Sequence, residues 1–176
     1  MTIYRRSSLA LACLLMAFAQ RAMAQLSPVR LGIEGGVTAP VSSYGTDKDV
    51  GYHLGLLLDV RLPLSPVGFR FDGDFSQLKY SANSTRQQIW ALTGDALLKL
   101  PTGTPLWPYA IGGVGFYNSR RDLLLGASSH TDPGWNLGGG LRFELSDITT
   151  FVEARYHRAS GASGIRMVPV TIGLLF

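Results

Sequence analysis

The sequence predicts an all-β fold: an eight-stranded antiparallel up-and-down transmembrane β-barrel with short periplasmic turns and longer extracellular loops. Three observations predict it. Apolar and polar side chains alternate with period two in run after run from Val29 to Phe176, as strands do when their two faces meet different surroundings. The connections alternate in length, those near 63–67, 101–106 and 146–149 being short and rich in Pro, Gly, Ser or Asp, whereas 40–50, 118–133 and 158–166 are longer and polar and 80–87 is intermediate. The first residues read as an export leader, and no later segment reaches the roughly 18 apolar residues that a helical membrane span needs.

The leader "MTIYRRSSLALACLLMAFAQRAMAQ" has three regions. Arg5 and Arg6 form a positive start, Leu9 to Ala19 an apolar stretch too short to cross a bilayer, and Ala22-Met23-Ala24 a small-x-small cleavage site. A signal peptide over 1–24 and one outer-membrane β-barrel domain over 25–176 are therefore expected. Losing Arg5, Arg6 and Arg21 lowers the formal charge from +4 to +1, so a nucleic-acid partner has no electrostatic support. Cys13 is the single cysteine and lies in the leader, which excludes disulfide and thiol chemistry from the mature chain. An exported chain of this kind is expected in the cell outer membrane, as a monomer.

The eight runs follow in order. In the first, about 29–39, Val29, Leu31, Ile33, Val37 and Ala39 oppose Arg30, Glu34 and Thr38. The second, about 51–62, sets Tyr52, Leu54, Leu56, Leu58, Val60 and Leu62 against His53, Asp59 and Arg61. In the third, about 68–79, Phe69, Phe71 and Phe75 oppose Arg70, Asp72, Asp74 and Ser76. The fourth, about 88–100, puts Trp90, Leu92, Ala96, Leu98 and Leu100 against Thr93, Asp95 and Lys99. The fifth, about 107–118, has glycine on both faces and no readable side. The sixth, about 134–145, opposes Trp135, Leu137, Leu141, Phe143 and Leu145 to Asn136, Arg142 and Glu144. In the seventh, about 150–158, Val152, Ala154 and Tyr156 turn away from Glu153, Arg155 and His157. The eighth is "VPVTIGLLF", whose Val168, Val170, Ile172, Leu174 and Phe176 share a face.

Alternation alone does not say which face is wet. The polar face interleaves both signs of charge, with Glu34, Asp59, Asp72, Asp74, Asp95, Glu144 and Glu153 against Arg30, Arg61, Arg70, Lys99, Arg142 and Arg155, a set able to pair inside a closed lumen. The chain has only Lys48, Lys79 and Lys99 as lysines, and its charged content of 16% is low for a water-facing surface. Aromatic residues gather towards run ends, at Tyr52, Phe69, Trp90, Trp107, Trp135, Phe143 and Phe176, where interfacial girdles belong. The apolar face is therefore expected to meet lipid.

The terminal "VPVTIGLLF", with Phe176 last and Leu174, Ile172 and Val170 at alternate positions before it, resembles the assembly signal of bacterial outer-membrane barrels. The resemblance implies the outer-membrane barrel insertion machinery as a partner, besides outer-membrane lipid and lipopolysaccharide. "FVEARYHR" at 151–158 and "PYAIGGVGFY" at 108–117 resemble strands of the small bacterial outer-membrane β-barrel domain family, the group of OmpX-like, OmpW-like and OmpA-type barrels. Pro169 departs from strand chemistry and predicts a bulge or a locally unpaired site.

Catalytic readings find little purchase. "HRASGASG", His157 to Gly164, resembles the His and Ser region of lipid A deacylases, but the His157-x-x-Ser160 spacing is one residue longer than in that family and no carboxylate follows before Phe176. His53, His130 and His157 are too scattered for a zinc site, so neither metal nor cofactor is expected. A narrow channel is the other alternative, but an eight-stranded lumen filled with paired charges is plugged. The expected function is a structural or interaction role at the cell surface, in envelope integrity, adhesion or lipopolysaccharide contact. Tyr44, Asp47, Lys48 and Asp49 in the first long loop and Arg120, Arg121, Asp122 and His130 in the third are the expected contact residues. Charge also suggests a register between the sixth and seventh runs: facing Arg142 with Glu153 avoids like charges directly opposite and closes the hairpin at Asp147-Ile148.

Overall fold

The computed structural model describes residues 29–80, 86–100, 102–123, 126–145, 148–161 and 163–176. The expected signal peptide, Asp147, and the side chains of Arg121, Asp122 and Leu145 lie outside this set. Eight strands run β1 Val29–Pro40, β2 Lys48–Arg61, β3 Val67–Tyr80, β4 Arg86–Lys99, β5 Leu106–Leu123, β6 Gly126–Leu145, β7 Ile148–Ala159 and β8 Arg166–Leu175. Each pairs antiparallel with its sequence neighbours, and β1 closes on β8 from Gly32↔Leu175 to Pro40↔Met167. Closure removes every free sheet edge, the only way a sheet can satisfy its backbone in hydrocarbon. The terminus is docked: Phe176 N–H donates to Leu31 O at 2.8 Å.

The wall follows the period-two reading. Leu54, Leu56, Phe71, Leu92, Val114 and Ile172 turn outward and are exposed, while their sequence neighbours turn into the lumen. Aromatic side chains ring this band, with Phe69, Phe143 and Phe176 near the short turns and Tyr52, Trp90 and Trp135 towards the long loops, whereas Trp107, expected in the girdle, pairs with Arg142 and turns into the lumen mouth. Strand five, unreadable from sequence, turns Tyr109, Ile111, Tyr117 and Ser119 inward and Ala110, Val114 and Phe116 outward.

Two long connections are shorter than the sequence suggests. The stretch 118–133 is mostly ladder, since β5 and β6 stay paired out to Leu123↔Gly126. This end of the hairpin is polar on both faces, so no hydrophobic alternation marks it, although backbone pairing continues; Asn118 Nδ2 donates to Thr131 Oγ1 at 2.8 Å and Ser129 Oγ at 3.1 Å. The link after β7 spans only 160–165. The first long loop holds a single turn of 3-10 helix, Ser42–Gly45, which folds Tyr44 back into the barrel mouth. Tyr44 is 6% exposed, correcting its expected place among surface contacts. Lys48 is drawn in with it, donating to Tyr44 O at 2.8 Å and lying 4.1 Å from the Tyr44 ring centroid.

Pro169 makes an unpaired site and no bulge. The β7–β8 ladder skips from Ala154↔Val170 to His157↔Met167 without changing register, so the missing N–H falls on the β7 side, while Thr38↔Pro169 is kept on the other.

Candidate functional site in the lumen and at the barrel ends

The lumen is layered. Nearest the termini and short turns stands a charged rim. Arg142 forks onto Asp59, with Nη2–Oδ2 at 2.6 Å and Nη1–Oδ1 at 3.3 Å. Arg61 Nη1 reaches Glu144 at 2.9 Å and its Nε stands 3.6 Å from Asp59, while the Arg30 guanidinium donates to Thr149 Oγ1. Lys99 lines the same mouth without a carboxylate partner among the described residues.

An apolar layer follows that the sequence did not reveal: Leu57, Leu97, Ile111, Phe151 and Leu175 pack with Tyr109 inside the barrel. Phe151 faces Gly173 across the β7–β8 ladder, and a Cβ on Gly173 would stand 2.2 Å from its ring. Burying each such side chain contributes on the order of 1.5–3 kcal/mol. The Arg70 guanidinium lies over Phe151 at 4.6 Å, so the apolar layer also holds a cation.

Arg70 and Arg155 organise the central layer. Arg70 Nη1 meets Glu153 Oε2 at 2.9 Å, and Tyr109 Oη donates to the same oxygen at 2.6 Å. Arg155 is ringed by four carboxylates: Glu153, Asp72 at 2.7 Å, Asp95 at 3.0 Å and Glu34 at 3.7 Å. Asn136 and Thr93 donate to Asp95 at 2.6 and 2.9 Å. Asp74 has no ion-pair partner among the described residues and ends beside Glu34. Above it His53 bridges Thr38 and Thr171, both at 3.0 Å, and a second apolar cluster that includes Tyr44, Leu78, Ile89, Tyr117 and Ile165 closes the loop end.

The expected Arg142 to Glu153 pairing between neighbouring strands is corrected. Arg142 faces Phe151, and Glu153 and Arg155 face Gly140 and Gly138. Leu145 pairs with Ile148, so Ile148 stands in the ladder and not at the expected hairpin closure. Glycine opposite Glu153 and Arg155 removes the like-charge conflict and leaves room: a Cβ on Gly138 would meet Ala154 O at 2.2 Å, and one on Gly140 the Tyr109 hydroxyl at 2.7 Å. The partners sit across the lumen instead. Asp59 to Arg142 joins β2 to β6, and Arg70 to Glu153 and Asp72 to Arg155 both join β3 to β7. A double-mutant cycle on unfolding should therefore couple Arg142→Ala with Asp59→Ala by about 1–3 kcal/mol, the range for buried charged contacts, while Arg142→Ala and Glu153→Ala, joined only through Asp59 and Arg70, should couple more weakly. Coupling confined to the Glu153 pair would contradict this geometry.

The catalytic alternative finds no assembled dyad among the described residues. His157 is buried with Nδ1 2.9 Å from the Tyr117 hydroxyl, Ser160 is exposed in the link beyond β7, and Asp132 accepts the Ser163 N–H at 2.9 Å. No cluster of metal-ligating side chains occurs among the described residues.

The fold has known counterparts. Neisserial surface protein A matches with a TM-score of 0.69 at 18% identity, over 84% of this chain and 96% of that one. Ail, the attachment invasion locus protein of Yersinia pestis, matches with 0.57 at 10% identity, over 84% and 95%. The N-terminal β-barrel domain of Pseudomonas aeruginosa OprF matches with 0.52 at 15% identity, over 84% and 97%. A comparison with curated protein sequences finds no match. The model of the outer membrane protein beta-barrel domain matches residues 10–168, nearly the whole sequence. With the closed eight-stranded ladder, the apolar outer wall and the charged lumen, this match shows that the chain belongs to the outer membrane protein beta-barrel domain family, and so to the outer membrane.

Proposed function

We propose that the protein is a non-enzymatic, non-conducting barrel that works from its outer surface, gripping the phosphates of lipopolysaccharide around its loop-side rim. One observation carries this reading: basic side chains face each other, in register, on the lipid-facing wall. Arg158 on β7 stands opposite Arg166 on β8, and Lys79 on β3 stands opposite Arg86 on β4 with Asp49 of β2 on its other side, so the arginine pair carries the argument. Like charges directly opposite destabilise a sheet pair unless an anion lies between them. All four continue the outward-facing set at the loop end, above the Trp135–Tyr156 aromatic contact, where lipid headgroups begin. Lipid phosphates are the anions available at that depth, and paired guanidinium groups suit them.

The lumen supports the same reading, because Arg70, Arg142 and Arg155 are each at most 2% exposed and fill the section that a solute would need. The test is thermal unfolding of the folded barrel in detergent, with and without lipopolysaccharide. Saturating lipopolysaccharide should stabilise the parent by about 2–3 kcal/mol at a hundredfold excess over its dissociation constant, and Arg158→Gln with Arg166→Gln should remove most of that gain while leaving the ligand-free midpoint unchanged or higher. An undiminished gain would refute the rim contact. Current steps well above leak in planar bilayers would refute the closed lumen.

A further inference from the structure

At the opposite end of the barrel the charged rim opens into a cleft of two lobes, about 320 and 500 Å³, which share Arg61, Ser65 and Lys99. Asp59 and Leu97 line the inner lobe, and Trp107 and Glu144 the outer. Its charges do not balance. Asp59 is taken by the Arg142 fork, with Arg70 3.7 Å away, and Glu144 by Arg61, so both carboxylates of the cleft are already paired and the Lys99 charge is left over. Arg61 Nη2 meets no acceptor, and Lys99 has no carboxylate among the described residues. A half-buried ammonium in a cleft that size calls for an anion.

A second feature says what carries the anion. The hairpin from β2 to β3 closes with Ser65 N–H donating to Leu62 O at 3.2 Å, Pro63 and Leu64 forming its corners. Leu64 has φ +59°, the left-handed region that turns normally give to Gly or Asn. Its side chain lines the outer lobe and is fully exposed, with Leu62 and Leu100 exposed nearby. A strained leucine at a turn tip, at the lip of an anion-short cleft and next to the exposed Leu62 and Leu100, is poorly suited to water and well suited to the border between headgroups and acyl chains.

We propose that this cleft seats the phosphate of a phospholipid headgroup from the leaflet that the short turns face, with Lys99 and Arg61 on the phosphate, Leu64 against the glycerol and upper acyl chain, and Trp107, turned inward opposite Arg142, lining the headgroup side. In this family that leaflet is the periplasmic one. The site is separate from the loop-side rim, and either can fail alone.

The chain's tryptophans are Trp90, Trp107 and Trp135, so Trp90→Phe with Trp135→Phe leaves Trp107 as sole reporter at the cleft. This barrel, folded in a phosphate-free alkyl glucoside and checked by its mobility shift on boiling, is titrated with dihexanoyl phosphatidylglycerol. A saturable change in Trp107 emission is expected. Lys99→Gln should weaken it about tenfold, the size of one charge-assisted contact, while Lys99→Arg and the distant Arg158→Gln should titrate like the parent. No saturable change, or Lys99→Gln titrating like the parent, overturns the site. Inorganic phosphate run in parallel separates the sources: saturation only by the lipid supports the headgroup, and equal saturation by the free ion overturns the lipid assignment.

Discussion

Arg155→Met should be among the most damaging single substitutions in the barrel, with folded protein lost or destabilised by about 3–5 kcal/mol, because it leaves buried carboxylates without their counter-charge. Among the described residues, Arg155 is the one base within ion-pair reach of Asp72, Asp95 and Glu34, and it shares Glu153 with Arg70. These acids line a lumen with no room for bulk water to replace the guanidinium. Arg155→Lys should fall between the two, since an ammonium restores the charge but not the fork that reaches several carboxylates at once. Adding Asp72→Asn to Arg155→Met should recover part of the loss by removing one stranded charge. Urea unfolding in lipid vesicles, followed by the mobility shift on boiling, reads all three. A loss below about 1 kcal/mol for Arg155→Met would mean that the central network contributes little to stability.

How much of this was legible in the sequence depends on what each signal measures. Strand existence and facing were readable wherever one face meets lipid, because lipid forces apolar residues onto every second position, as from Tyr52 to Val60 or Val168 to Phe176. Facing was lost in strand five, where Gly112, Gly113 and Gly115 put small residues on both sides and the large inward side chains are few, Tyr109, Ile111 and Tyr117. The outer ends of β5 and β6 were missed for the complementary reason: ladder hydrogen bonds persist where neither face is buried, and nothing in side-chain polarity records them. The members of the lumen network were legible as inward charges. Their pairing was not, because charge alternation along adjacent strands does not show which charges meet across the lumen. In a barrel this narrow, the nearest opposite charge to Arg142 is Asp59 on the far wall, 83 residues away along the chain. The apolar layer around Phe151 was hidden by the same alternation that revealed the wall: Leu57 sits between Leu56 and Leu58, and a run of three leucines does not say which one turns inward.

Deleting Phe176 should reduce the protein in the outer membrane far more than its contacts justify. The residue donates one backbone hydrogen bond to Leu31 at 2.8 Å, and its ring, 51% exposed, lies on the outer wall at the short-turn end. The hydrogen bond contributes about 0.5–1.5 kcal/mol, and full burial of such a ring in lipid about 1.5–3 kcal/mol. A strand that keeps its pairs from Gly32↔Leu175 to Pro40↔Met167 can absorb that loss. If Phe176, Leu174, Ile172 and Val170 form the signal by which the insertion machinery recognises the chain, the deletion acts before folding, and unfolded protein should build up in the periplasm. The two effects separate by experiment. Refolding of the deletion from urea into lipid vesicles, without any machinery, should be near normal, while its level in outer-membrane fractions from cells should drop severalfold, and Phe176→Tyr or Phe176→Trp, which keep a terminal aromatic side chain, should largely restore it. A deletion that reaches normal membrane levels would make Phe176 no more than the last residue of β8's ladder, and one that fails equally in vesicles would assign its effect to barrel closure rather than to recognition.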